Sequence, residues 1–158
     1  MKPTARDVSG AGSLTVRRLT LVDENLAQQL NPLFDEGMVW DQTEGERFFS
    51  DPSNLLVVAY WNGHLCGFAT ACRLQRFDSR RAEVNLYEIG VDEQYQRRGI
   101  ASAIVAEVNR WAREVEADET WVLTEPTNTA ARALYRATGG YEDEQGSIMY
   151  TYRLGTSM

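Results

Sequence analysis

The six residues Gln96-Arg97-Arg98-Gly99-Ile100-Ala101 decide the reading of this chain. They follow an apolar run that reads as a strand, Asn85-Leu86-Tyr87-Glu88-Ile89-Gly90-Val91, and they open a helical pattern that reaches about Val115. A strand feeding a tight turn at a helix start leaves the first backbone N–H groups of that helix without internal partners, and the helix dipole adds partial positive charge there. Such a turn can take a phosphate group. Gly99 has no side chain to hold an anion away. Arg97 and Arg98 are charged at every working pH. The turn contains neither G-x-G-x-x-G nor G-K-[ST], so it is neither a Rossmann fingerprint nor a P-loop.

Downstream of the turn, Ile100, Ile104, Val108, Trp111 and Val115 recur at helical spacing with Val105 and Ala112 beside them, the pattern of a core-facing stripe. A short strand is expected over 120–124, ended by Glu125-Pro126. A helix then starts at Thr127 or Asn128 and runs to about Thr138, where Gly139 and Gly140 stop it. Tyr141 and residues 148–154 are expected to close the sheet as a hairpin around Gln145-Gly146. Upstream, 14–19 reads as a first strand. Asp23 can cap a helix with the stripe Leu26, Leu30, Leu33 and Phe34, and a shorter helix over 43–50 points Phe48 and Phe49 inward. Strands over 55–61 and 65–74 are joined by Asn62-Gly63, a strong hairpin signal, which leaves His64 as an exposed turn residue. A polar loop over 77–82 leads to the strand before the turn. The order β-α-α-β-β-β-α-β-α-β-β is a mixed α/β fold.

At 158 residues the chain has room for one core. Residues 1–13 read as a flexible N-terminal tail and 14–158 as a single domain. A 43% hydrophobic and 25% charged composition is that of a soluble globular protein. No apolar run approaches the roughly 20 residues that cross a bilayer, and the N-terminus lacks the apolar stretch of a signal peptide. Cys66 and Cys72 fall in one strand at even spacing, on one face but roughly 20 Å apart, too far for a disulfide. A reducing, cytoplasmic setting is expected. With one histidine and no C-x-x-C pair, no metal site is expected. The formal charge of −7 argues against nucleic acid and favours cationic partners, which an acidic cleft concentrates.

The spacing Q-x-x-G-x-A after Glu88-Ile89-Gly90-Val91 resembles motif A of the GNAT superfamily of N-acetyltransferases. Asn128, Ala131, Leu134, Tyr135 and Gly139 match that family's second signature, N-x-x-A-x-x-L-Y-x-x-x-G. The resemblance covers about 14–154. It implies the GNAT fold: a mixed, mostly antiparallel central sheet, helices on both faces, and a splayed strand pair that holds the cofactor. By the same resemblance, Gln96, Arg97, Arg98, Gly99, Ile100, Ala101 and Ser102 bind the pyrophosphate of acetyl-coenzyme A. The backbone of Ile89, Gly90 and Val91 meets the pantetheine arm and the thioester carbonyl. Asn128, Ala131 and Tyr135 also face the cofactor. The resemblance allows a homodimer.

Acetyl transfer to an amine carries a protonation problem. An alkylamine with a pKa of about 10.4 is only about 0.04% neutral at pH 7, and only the neutral amine attacks a thioester. A general base contributes about 10²–10⁴-fold. Glu88 interrupts an otherwise apolar strand beside the turn, and the family often uses a carboxylate on this strand as that base. The alternative is a Glu88 that faces solvent on an alternating strand, with Asn85 and Tyr87 pointing the other way. Tyr135 stands at the family's general-acid position; the alternative is a core tyrosine beside Ala131 and Leu134. Asn128 can also cap its helix.

The stretch 74–91 is similar to the small aminoglycoside 3-N-acetyltransferases in its Phe-acidic loop, in the Tyr and carboxylate on the strand, and in the R-R-x-G-I-A turn. It departs from them in carrying Glu88 where Asp is expected, and in its N-terminal third. This implies transfer to the 3-amino group of an aminoglycoside antibiotic, hence resistance, through a ternary complex. Asp78, Glu88, Glu125, Glu142 and Asp143 could then line an acceptor cleft for a polycation. Another small polyamine, a peptide amine, or a non-catalytic acyl-coenzyme A sensor are the alternatives. An aminoacyl-tRNA acceptor is disfavoured by the acidic charge.

Overall fold

The computed structural model describes residues 4–8, 12–34, 37–78 and 81–155. Six strands form one sheet in sequential order: β1 (Thr4–Val8), β2 (Gly12–Leu19), β3 (Asn54–Trp61), β4 (His64–Gln75), β5 (Ala82–Val91) and β6 (Ala117–Trp121). Every neighbouring pair is antiparallel except β5 and β6, which are parallel. A parallel pair needs a crossover, and here the crossover is α3 (Ile100–Glu114). The helices α1 (Glu24–Leu30) and α2 (Gln42–Ser50) separate β2 from β3, and α4 (Thr129–Ala137) follows β6.

The sheet is covered on both faces. Along β3, Leu55, Val57 and Ala59 pack with Ile100, Ile104, Val105, Val108 and Trp111 of α3. The alternate residues Leu56 and Val58 pack with Leu30 and Phe68, against Leu33, Phe34, Phe48 and Phe49. Period-two alternation in the strand thus feeds two cores, which is why β3 is apolar throughout. Asp23 caps α1 through Oδ1 to the Leu26 N–H, as expected. Pro32 turns the chain into a 3₁₀ helix over Asn31–Leu33, so Leu33 and Phe34 reach the same core from beyond the α-helix. Asn62 and Gly63 both have positive φ, 49° and 82°, as a two-residue hairpin turn requires.

Three expectations need correction. The flexible tail expected over 1–13 contains β1, paired with β2 from Thr4↔Val16 to Val8↔Gly12; residues 1–3 and 9–11 lie outside the described part. The C-terminal hairpin does not form. The turn at Gly146 is present, with φ 65°, but 141–155 holds no strand, and Tyr141 and 148–154 do not join the sheet. The two cysteines do not share a face. A bulge between Ala59 and Tyr60 opposes Cys66, so Cys66 joins Ala69 and Ala71 against α3, while the alternation leaves Cys72 with Phe68 and Thr70. Both thiols are free.

Burial pushes the Cys66 thiol up to about 11 from 9.0. A folded-state pKa above the unfolded one means stability that is whole below pH 9 and lost as pH rises towards 11. The loss should be on the order of 2 kcal/mol. A Cys66→Ala protein should show a flatter urea midpoint between those limits than the parent. Equal slopes would refute a desolvated thiol.

One α3 residue was invisible to the stripe. Glu107 is 8% exposed and accepts from Arg18 Nε, with Arg110 on its other oxygen and Arg18 forked onto Glu114. The pairing clamps α3 to β2. No helix among the described residues is long and apolar enough to cross a membrane.

Candidate active site

The turn after β5 has the geometry an anion needs. Arg97 has φ 62° and Gly99 φ 75°, so two left-handed residues alternate with Arg98. Successive backbone N–H groups in such an arrangement converge on one side. The first turn of α3 has no side-chain cap, and a Cβ at Gly99 would meet nothing within 4 Å. The space in front of the helix is therefore open and donor-lined. Ile100 is 2% exposed and packs in the core, so only its backbone faces this space. Arg98 lies over two rings, 5.1 Å from the centre of Trp61 and 5.5 Å from that of Tyr95. These contacts hold its guanidinium itself over the Trp61 and Tyr95 rings, close to the turn.

Beside the turn the sheet forks. The parallel ladder of β5 with β6 runs from Ala82↔Ala117 to Asn85↔Trp121 and stops. The Asn85 Nδ2 donates to the Trp121 carbonyl at 3.4 Å, at the crotch of the fork. From Leu86 to Val91, β5 pairs with β4 alone, so alternate N–H and C=O groups on its other edge face a slot between the strands. An extended chain can enter that slot as an added strand.

A bulge sets which side chains line the fork. Thr70 pairs with Glu88 but Ala71 with Leu86, so Tyr87 is an extra residue on β5. Upstream, Val84 and Leu86 point at α3; downstream, Ile89 and Val91 do. The phase change turns Asn85, Glu88 and Gly90 to the opposite face, towards α1. The expectation that Asn85 points away from Glu88 is thereby corrected, and Tyr87 stands exposed between them. Gly90 itself is not the bulge. Its missing side chain makes room for the Leu33 carbonyl, 2.9 Å from where a Cβ would sit, and for the Phe68 ring at 2.8 Å. Glu88 is half-buried and accepts from Thr70 Oγ1 through Oε2 at 2.9 Å, which leaves Oε1 for another donor.

On the other side of the fork, α4 carries the second signature. Asn128 caps it, its Oδ1 accepting from the Ala131 N–H at 3.0 Å. Tyr135 is half-buried against the α3 core with Leu134, and desolvation raises its hydroxyl above the usual 10.0. It is a proton-bearing group at any physiological pH.

Residues 20–140 match the acetyltransferase (GNAT) family. The chain belongs to that family. It is 33% identical over 127 residues to the N-alpha-acetyltransferase RimI of Mycobacterium tuberculosis, covering 80% of this chain and 77% of that protein. It is 34% identical over 110 residues to the mycothiol acetyltransferase of Clavibacter sepedonicus, covering 70% of this chain but spanning only 34% of that protein. Among solved structures it resembles an aminoglycoside acetyltransferase, meta-AAC0020 from an uncultured soil metagenomic sample, in complex with sisomicin. The TM-score is 0.77 at 21% identity over 90% of this chain and 97% of the other. It also resembles the aminoglycoside N-acetyltransferase AAC(6')-Iy in complex with CoA, with a TM-score of 0.73 at 24% identity over 92% and 99%. At these identities the likeness speaks for the fold. The protein is an N-acetyltransferase with the GNAT architecture, and acetyl-CoA is the acyl donor of that family.

In this acetyltransferase the acidic residues expected around an acceptor fall in four places: Asp78 between β4 and β5, Glu88 on β5, Glu125 before α4, and Glu142 with Asp143 after it. Asp78 is held by Arg76, whose guanidinium lowers its carboxyl. Glu142 is held by Arg132 and Arg136 and lowered by them. Asp143 accepts from Ser147 and the Gln145 N–H, which lower it too. Glu125 precedes α4, and its carbonyl accepts from the Asn128 N–H. Sequence reasoning missed Thr70, Trp61 and Tyr95. The bulge that pairs Thr70 with Glu88 depends on strand register, which no local pattern reveals.

Proposed function

We propose that this enzyme acetylates an amine of an aminoglycoside-like polycation, the 3-amino group first, and so protects a cell in its cytoplasm from the drug. The observation that carries the reading is Glu88, half-buried at the β5 bulge with one oxygen tied to Thr70 and the other open, on the sheet face away from α3. A carboxylate so held can accept a proton from an ammonium. The formal charge of −7 would concentrate such a cation.

The donor and acceptor meet at the fork. The turn from Gln96 to Ser102 holds the pyrophosphate of acetyl-CoA on its backbone N–H groups, with Arg97 and Arg98 adding charge. The backbone of Ile89, Gly90 and Val91 pairs with the pantetheine arm, and Asn128 and Ala131 flank it. A bound thioester supplies an electrophilic carbonyl. Glu88 takes the proton lost by the amine as the nitrogen lone pair attacks that carbon, and Tyr135 gives its hydroxyl proton to the sulfur as the C–S bond breaks. Asp78, Glu125, Glu142 and Asp143 contribute long-range attraction.

Thiol release from acetyl-CoA, measured against aminoglycosides, polyamines and peptide N-termini, tests the acceptor. Turnover should be highest with aminoglycosides, and the acceptor KM should rise with salt as the Debye length shrinks from about 10 Å at 0.1 M to about 3 Å at 1 M. Mass spectrometry of the product assigns the amine. The 33% identity to RimI favours a second reading, in which the acceptor is a protein N-terminus. Faster turnover of a peptide than of any aminoglycoside would establish it and sink the first.

Tyr135→Phe should lower kcat about tenfold, a modest loss because a thiol near pKa 8.5 leaves readily unaided. A loss above that of Glu88→Gln would mean that sulfur expulsion limits the rate.

A further inference from the structure

A glycine far from the turn in sequence touches the side chain that holds Arg98. Trp61 ends β3 and pairs with Leu14 of β2. A Cβ on Gly12, the first residue of β2, would overlap Cζ2 and Cε2 of the Trp61 indole, so the ring lies on bare backbone there. Two hydrogen bonds tie this corner down. The Ser13 N–H donates to Asn62 Oδ1 at 2.8 Å, and the Asn62 N–H donates to the Ser13 carbonyl at 2.9 Å. Trp61 and Tyr95 are both half-buried and both pack against the α3 core.

What the two rings hold is a cation without a counter-charge. Among the described residues the Arg98 side chain has no carboxylate partner, whereas Arg18, Arg76 and Arg132 are each paired with one or more. A carboxylate would fix a guanidinium but cancel its charge. An aromatic face attracts the cation through its quadrupole and carries no net charge, so Arg98 keeps its full charge and its N–H donors for an anion.

We infer that Trp61 and Tyr95 are positioning residues for the cofactor, holding Arg98 ready beside the turn, and that Gly12 is the seat on which Trp61 rests. The inference rests on the pyrophosphate site proposed at the turn. It places a determinant of acetyl-CoA affinity at the start of β2, on a residue outside the turn and outside both family signatures. A long side chain that is already ordered forgoes the entropy cost of being fixed on binding, a factor of about 2–10 in affinity. Gly12 does not have a positive φ, so an alanine there adds no backbone strain and acts through the ring.

Calorimetry of acetyl-CoA binding to the full-length protein tests this, with melting curves as a control for folding. Arg98→Met should raise Kd about 10–100-fold, the loss of charged hydrogen bonds. Trp61→Leu should raise it about three- to tenfold, and Gly12→Ala about threefold. Trp61→Phe, which keeps a ring, should stay within about twofold of the parent. Placed on Arg98→Met, neither Trp61→Leu nor Gly12→Ala should weaken binding further, because their effect passes through the guanidinium. Parent-like or tighter binding by Arg98→Met, Trp61→Leu or Gly12→Ala, with Gly99→Glu still impaired, would overturn the inference and leave the turn as the pyrophosphate site. So would losses that add fully to that of Arg98→Met, or equal losses for Trp61→Phe and Trp61→Leu. Parent-like affinity in both Arg98→Met and Gly99→Glu would overturn the site itself, and the inference with it.

Discussion

Glu88→Gln should reduce kcat/KM about 10²–10⁴-fold at neutral pH, the range a positioned base contributes, with acetyl-CoA affinity within a few fold of the parent. The amide keeps the size of the side chain and can still accept from Thr70 Oγ1, so the β4–β5 pairing should survive. What is lost is the capacity to hold the amine's proton. The deficit should narrow as pH rises towards 10, because an increasing share of acceptor is then already neutral. A loss below threefold at every pH would remove Glu88 from the chemistry and point to bulk water as the base. A large loss accompanied by weakened cofactor binding would instead mean that the fork has collapsed.

The second large effect belongs to Gly99. Its φ of 75° and the empty space in front of it make the site sensitive in two separable ways. Gly99→Ala should cost about 1–2 kcal/mol of stability for a left-handed alanine, with affinity for acetyl-CoA lowered only a few fold. Gly99→Glu bears the same strain and places a carboxylate where the proposed site would hold the pyrophosphate. Two like charges about 4 Å apart near a surface repel by about 4 kcal/mol, so affinity should fall roughly 10²–10³-fold. Calorimetry on both variants, with melting curves as control, separates strain from charge. Equal affinities for the two would place the pyrophosphate elsewhere.

Much of this architecture was legible because local signals agreed with the global fold. The Asn62-Gly63 turn, the Asp23 cap, the α3 stripe and the Asn128 cap each sit where pattern and chemistry place them. The two bulges were not legible. An inserted residue leaves strand composition unchanged yet reverses the faces beyond it, which moved Cys66 relative to Cys72 and Asn85 relative to Glu88. Glu107 was missed for another reason: a charge in an apolar stripe is tolerated only with a partner, and Arg18 lies 89 residues away. At the C-terminus the alternation in 148–154 reads as a strand, yet the structure holds none there: alternation offers a face and does not supply an edge to pair with. In the candidate site, the turn, Glu88 and Tyr135 could be picked out from residue type and spacing. The partners that hold them, Thr70 for Glu88 and the Trp61 and Tyr95 rings for Arg98, come from distant strands and needed the fold.

The extra residue at Tyr87 splits β5 into two tenants of one strand. From Ala82 to Leu86 the even-numbered side chains face α3; from Glu88 onwards the odd-numbered ones do. Substitutions can adjust either half without disturbing the other. A single-residue deletion at Tyr87 would keep Glu88 opposite Thr70 and Ile89 beneath α3, since Leu86 and Glu88 would then alternate as ordinary strand neighbours. What would go is the bulge, and with it the local bend and extra twist that a bulge puts into β5 just past the end of the β6 ladder.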